Sequence, residues 1–106
     1  MSSIKIAMIQ SALHWENKEE NLKMFEEKIF SFKNEVDLIL LPEMFTTGFT
    51  MNTSLAETMN ERTLEWMKNI SAKKNTVVCG SVMIKEEEIF FNRLIWMQPD
   101  GNFFFY

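Results

Sequence analysis

The run Leu38-Ile39-Leu40-Leu41, closed by Pro42, constrains this chain more than any other stretch. Four apolar residues are too few for a membrane span or a free-standing helix. The run therefore predicts a strand buried on both faces, the kind found at the centre of a parallel sheet. Pro42 ends it, because proline has no N–H to give to a sheet ladder. Glu43 follows, a carboxylate placed where a buried strand opens into a loop. In α/β sheets that carboxyl end of the strands is where ligands bind. A carboxylate there is expected to be poorly solvated, which suits a general base.

The flanking sequence supplies the rest of such a sheet. Residues 4–10 (I-K-I-A-M-I-Q) are β-rich and apolar with one charge, and read as a first strand. Asn17, with Glu20 three residues on, marks a helix start. Leu22, Phe25, Ile29 and Phe32 recur at spacings of three and four, which carries this helix to about Lys33 with one apolar, core-packing stripe. Asn34-Glu35 makes a turn and residues 36–41 a second strand, so that strand, helix and strand form a βαβ unit with parallel strands. Residues 44–55, with Gly48 and several threonines, form a loop long enough to shape a pocket. Thr58 with Glu61 matches a capping box for a second helix at about residues 60–74, whose inward stripe is Thr63, Trp66, Met67 and Ile70. Lys73 and Lys74 suit its last turn, and Asn75 can take the left-handed conformation that closes a helix. Residues 76–84 read as a buried strand, 85–88 as a solvated connection, and 89–98 as a further strand. Pro99-Asp100-Gly101 is a turn, and 103–106 begin a strand returning antiparallel. The order is βαβαβββ, an α/β layer whose parallel part comes first.

Composition excludes several function classes. A formal charge of −4, with no Lys/Arg cluster to override it, argues against a nucleic-acid partner. A single cysteine cannot build a disulfide framework, and residues 1–10 lack the apolar core of a signal peptide. No apolar run approaches transmembrane length, so a soluble cytoplasmic protein with no membrane partner is expected. Ten Phe and three Trp are a heavy aromatic load for 106 residues, more than so short a chain hides alone. With the closing Phe103-Phe104-Phe105-Tyr106 strand pattern, this leads us to expect residues 1–106 to be the N-terminal portion of a single, incomplete domain.

The segment L-L-P-E-M-F-T-T-G-F, residues 40–49, resembles the first signature of the nitrilase (carbon–nitrogen hydrolase) superfamily, and the wording after Glu43 looks most like its omega-amidase branch. Phe91-Asn92-Arg93, an apolar strand and Pro99-Asp100-Gly101 follow the same family habit. Tyr106 matches the Tyr that precedes the family's catalytic Lys. The resemblance implies the N-terminal part of a nitrilase-type αββα sandwich, with Glu43 as one member of a Glu-Lys-Cys triad. The Lys and the nucleophilic Cys of the family have no counterparts in these residues. It also implies a small-molecule amide substrate such as 2-oxoglutaramate or 2-oxosuccinamate, no cofactor or metal, and a homo-oligomer.

Each candidate residue has a plainer reading beside the chemical one. Glu43 as general base competes with an ordinary loop carboxylate capping something nearby. Phe45, Thr47 and Phe49 are candidates to line the substrate pocket. Cys79 sits mid-strand with no basic neighbour and reads as an inert core cysteine. His14 has no partner at metal-ligand spacing, so no metal site is expected. Lys73 and Lys74 answer to a helix dipole. Asn92, polar inside an apolar strand, either braces the loop carrying Glu43 or points to solvent. The rival readings are a non-catalytic α/β interaction module pairing through its Phe-rich edge, and a sister amidase such as a carbamoyl-amine hydrolase or a glutaminase domain.

Overall fold

The computed structural model describes residues 3–59 and 61–106. The elements run β1 (Ile6–Met8), α1 (Lys18–Ser31), β2 (Leu38–Leu40), a 3-10 turn (Thr53–Leu55), α2 (Arg62–Lys74), β3 (Val77–Glu86), β4 (Ile89–Met97) and β5 (Phe103–Phe105). The strands form one sheet in the order β1-β2-β3-β4-β5. β1, β2 and β3 are parallel, and β4 and β5 are added antiparallel. The expected order is met element for element.

Register decides which side of the sheet each residue faces, because paired residues point to the same side and neighbours along a strand alternate. Ile39 pairs with Val78, Val78 with Met97, and Gly80 with Ile95. This set faces the helices and is buried with Leu22, Phe25 and Ile29 of α1 and with Leu64, Trp66, Met67 and Ile70 of α2. Burial of each large side chain contributes about 1.5–3 kcal/mol. The opposite side carries Ile6, Met8, Leu38, Leu40, Leu94 and Phe104, and of these Ile6, Met8, Leu94 and Phe104 are exposed. The expectation of a second strand buried on both faces is therefore corrected. Ile39 is fully buried against the helices, while Leu38 and Leu40 are only half-buried on the open face.

The helix ends show what local sequence can and cannot specify. Asn17 caps α1 by accepting from the Glu20 backbone N–H at 3.2 Å. The inward stripe of α2 is the expected one, and Asn75 closes that helix at φ 52°, ψ 49°. Its start differs from the capping box, and Asn60, the expected first residue, lies outside the described residues. Thr58 donates from its N–H and hydroxyl to the Glu61 carboxylate, which these bonds hold below the usual range. The α2 backbone is capped instead by Glu57, whose carboxylate accepts from the Thr63 N–H at 2.8 Å and from the Thr63 hydroxyl. Lys18 of α1 neutralises it at 2.8 Å, so this buried carboxylate is paired, as burial demands. The loop between β3 and β4 is also tighter than expected. β3 runs on to Glu86, and Glu87 and Glu88 form the turn at φ 50° and 69°, the left-handed conformation of a two-residue hairpin.

One close contact ties the sheet to the loop after β2. A Cβ at Gly80 would lie 2.9 Å from Cδ1 and Cε1 of Phe45 and 3.1 Å from Leu41 Cβ. The Phe45 ring cannot slide away, since Phe25 meets it edge-on at 5.8 Å and Trp66 lies 5.8 Å away on another side. Gly80→Ala is therefore expected to lower stability by about 1–3 kcal/mol, as overpacking of a filled core does. Urea denaturation measures it, and a variant as stable as the parent would contradict the contact.

Candidate active site

The loop after β2 turns inside out within three residues. Leu41 extends the strand by donating its N–H to the Cys79 carbonyl at 2.8 Å, and Pro42 stops the ladder. Met44 adopts φ 48°, a left-handed conformation uncommon for a side chain of its kind. Its N–H donates to Ser81 Oγ of β3 at 2.8 Å, a buried bond that satisfies the turned peptide. On one side of this turn Phe45 enters the helix-side core. On the other, Glu43 emerges on the open face of the sheet.

There Glu43 lines a cavity of about 370 Å3 together with Leu40, Leu41, Ser81, Asn92, Leu94 and Tyr106. Asn92 Nδ2 donates to Glu43 Oε1 at 2.8 Å, so the polar residue inside β4 braces the carboxylate as one of its two readings anticipated. A carboxylate, an amide and a hydroxyl thus meet against apolar walls, the composition of a small-molecule site. The expected poor solvation is not found: Glu43 is exposed, because nothing among the described residues covers this face.

None of the three candidate pocket residues lines this cavity. Phe45 is corrected from pocket to core, fully buried between Phe25 and Trp66. Thr47 is also buried, and its hydroxyl donates to the Gly48 carbonyl at 3.0 Å. Phe49 is 68% exposed, and neither it nor Thr47 lines the cavity with Glu43. Leu40, Leu94 and Tyr106 form the walls instead, and their signal was alternation along the strands read together with register.

Asn21 is a residue that sequence reasoning missed. Fully buried in α1, it accepts from the His14 N–H at 2.7 Å and donates to the carbonyls of His14 and Thr46 at 2.8 and 2.7 Å. It clamps the loops after β1 and β2 together, and its one signal was an amide beside Leu22 on an otherwise apolar stripe. No group of three or more His, Cys, Asp or Glu able to hold a metal occurs among the described residues. No described helix is long and apolar enough to cross a membrane.

Comparison with known proteins gives this geometry a family. Residues 5–105 match the Carbon-nitrogen hydrolase family, and the chain belongs to it. It is 33% identical over 102 residues to the omega-amidase YafV of Yersinia enterocolitica, covering 96% of this chain and 40% of that protein. It is 25% identical over 100 residues to the 2-oxoglutaramate amidase of Bacillus subtilis, covering 92% of this chain and 39% of that protein. Among solved structures, a CN-hydrolase superfamily protein of Xanthomonas campestris superposes with a TM-score of 0.94 at 31% identity, covering all of this chain and 40% of that one. That crystal structure carries an arsenic adduct in its active site. The chain spans about 40% of the length of the relatives it matches.

Cys79 plays no part in the cavity. It is buried in β3, and desolvation pushes its thiol up, away from the reactive thiolate. A thiol-alkylating reagent at pH 8 is expected to modify the peptide containing Cys79 at least tenfold more slowly in native protein than in urea. Mass spectrometry of that peptide reads the difference, and equal rates would contradict an inert thiol.

Proposed function

We propose that this chain is the N-terminal portion of an omega-amidase-like carbon–nitrogen hydrolase and supplies its general base, Glu43. The observation that carries the reading is the placement of Glu43. It stands at the carboxyl end of β2, turned onto the open sheet face, beside Asn92 and over a cavity of about 370 Å3. The relatives named omega-amidase and 2-oxoglutaramate amidase support the substrate class, a short ω-amide of a 2-oxo dicarboxylic acid.

In this reading a cysteine thiol and a lysine ammonium come from the rest of the protein. The Glu43 carboxylate takes the thiol proton as sulfur attacks the amide carbon, and the ammonium stabilises the oxyanion that forms. The proton passes to the departing nitrogen and ammonia leaves a thioester. Glu43 then removes a proton from water as it attacks the thioester, and returns that proton to the sulfur as the acid is released. The carboxylate ends as it began. A base without a nucleophile opens no amide by this route, so the 106-residue chain alone is expected to release no ammonia.

The test compares 2-oxoglutaramate and 2-oxosuccinamate with glutamine and N-carbamoyl amines as substrates of the whole protein, with ammonia release as the readout. Turnover of the ω-amides is expected to fall about 10²–10⁴-fold in Glu43→Gln, with the circular-dichroism spectrum unchanged. A Glu43→Gln variant within a few-fold of the parent would remove the assignment. Faster hydrolysis of glutamine or an N-carbamoyl amine would move the protein to a sister activity.

A further inference from the structure

We propose that Asn92 is a positioning residue that aims the Glu43 carboxylate, with Ser81 holding the peptide behind it. The inference rests on Glu43 being the base, and deepens that assignment. Glu43 is held unevenly. The residues on either side of it are fixed: Leu41 by its bond to β3, and Met44 by the Ser81 hydroxyl and by burial of its side chain. The Glu43 side chain itself is exposed and carries three rotatable bonds, so packing does not select its rotamer. Among the described residues, its side-chain hydrogen-bond partner is Asn92 Nδ2, at 2.8 Å.

The two supports come from neighbouring strands. Ser81 pairs with Leu94 and Met83 with Asn92 across the β3–β4 ladder, so Ser81 and Asn92 stand on the same open face, one step apart. One fixes the main chain at the turn, and the other fixes the carboxylate. The β3–β4 hairpin therefore sets the direction of a side chain borne by the loop after β2. Asn92 faces solvent at a position where a polar side chain does nothing for the core, so its value lies in the bond it donates.

The chemistry of the partner matters as much as its place. A neutral amide donates to Oε1 and leaves Oε2 free to collect a proton. A second carboxylate at this position would repel that of Glu43. An amide aims the base without claiming its charge.

The experiment uses the whole protein with the ω-amide it hydrolyses, and the variants Asn92→Ala and Asn92→Asp beside Glu43→Gln. Asn92→Ala frees the carboxylate, and kcat is expected to fall about tenfold with KM within twofold of the parent. Asn92→Asp keeps the shape but replaces the donor by a like charge, and kcat is expected to fall about 100-fold. Melting temperatures are expected to stay close to the parent's, because the side-chain bond that is lost runs to Glu43 and not into the helix-side core. A merely structural role would treat the two variants alike and show itself in the melting temperature. Both Asn92 variants within twofold of the parent in kcat, with Glu43→Gln inactive, would overturn the positioning role and leave the base assignment standing. An active Glu43→Gln would overturn both.

Discussion

The close contact between the Phe45 ring and the bare backbone of Gly80 is the constraint on which the arrangement of the site depends. Only a residue without a side chain lets an aromatic ring come this close to the middle strand of the sheet. With Phe45 pinned between Gly80, Phe25 and Trp66, the preceding peptide has little choice of path. Pro42 has already ended the β2 ladder, so the reversal falls to Met44, which takes the left-handed conformation and hands its N–H to Ser81. Glu43 is what this reversal pushes out of the core. The carboxylate stands on the open face because the ring two residues later is locked into the closed one.

The sheet has two different faces for a related reason. The helix-side face is filled by the stripes of α1 and α2, and its polar connections are satisfied internally. Glu57 caps α2 and pairs with Lys18, while Asn21 joins the first two loops. The opposite face is largely apolar, and Glu43, Ser81 and Asn92 bring polar groups to its cavity. Those three residues come from the loop after β2, from β3 and from β4, so the site straddles the change from parallel to antiparallel pairing. A ligand there would meet one carboxylate and one amide, held by the loop after β2 and by β4, against walls of Leu40, Leu94 and Tyr106.

Much of this was legible in the sequence, and the failures share a cause. Strand order, helix stripes and the left-handed Asn75 follow from periodicity and local chemistry, which act over a few residues. The placement of Glu43 after a buried strand was legible for the same reason. Phe45 and Thr47 were misread because the loop reverses at Met44, a residue that carries no sequence signal for a positive φ. The cap of α2 was misplaced because a local Thr58/Glu61 box competes with Glu57, whose burial depends on a lysine from the other helix. Poor solvation of Glu43 was inferred from a strand buried on both faces, whereas the described residues cover only one. Each miss traces to what lies far off in sequence: Ser81 and Gly80 for the reversal at Met44, Lys18 for Glu57, and the uncovered sheet face for Glu43.

A crystal structure of the whole protein tests the central claim most directly, through the atoms that surround the Glu43 carboxylate. Asn92 Nδ2 should remain on Oε1, with a cysteine sulfur and a lysine nitrogen from elsewhere in the protein within about 3.5 Å of the carboxylate oxygens. A Glu43 side chain turned away from the cavity, or one met by neither thiol nor amine, would contradict the account.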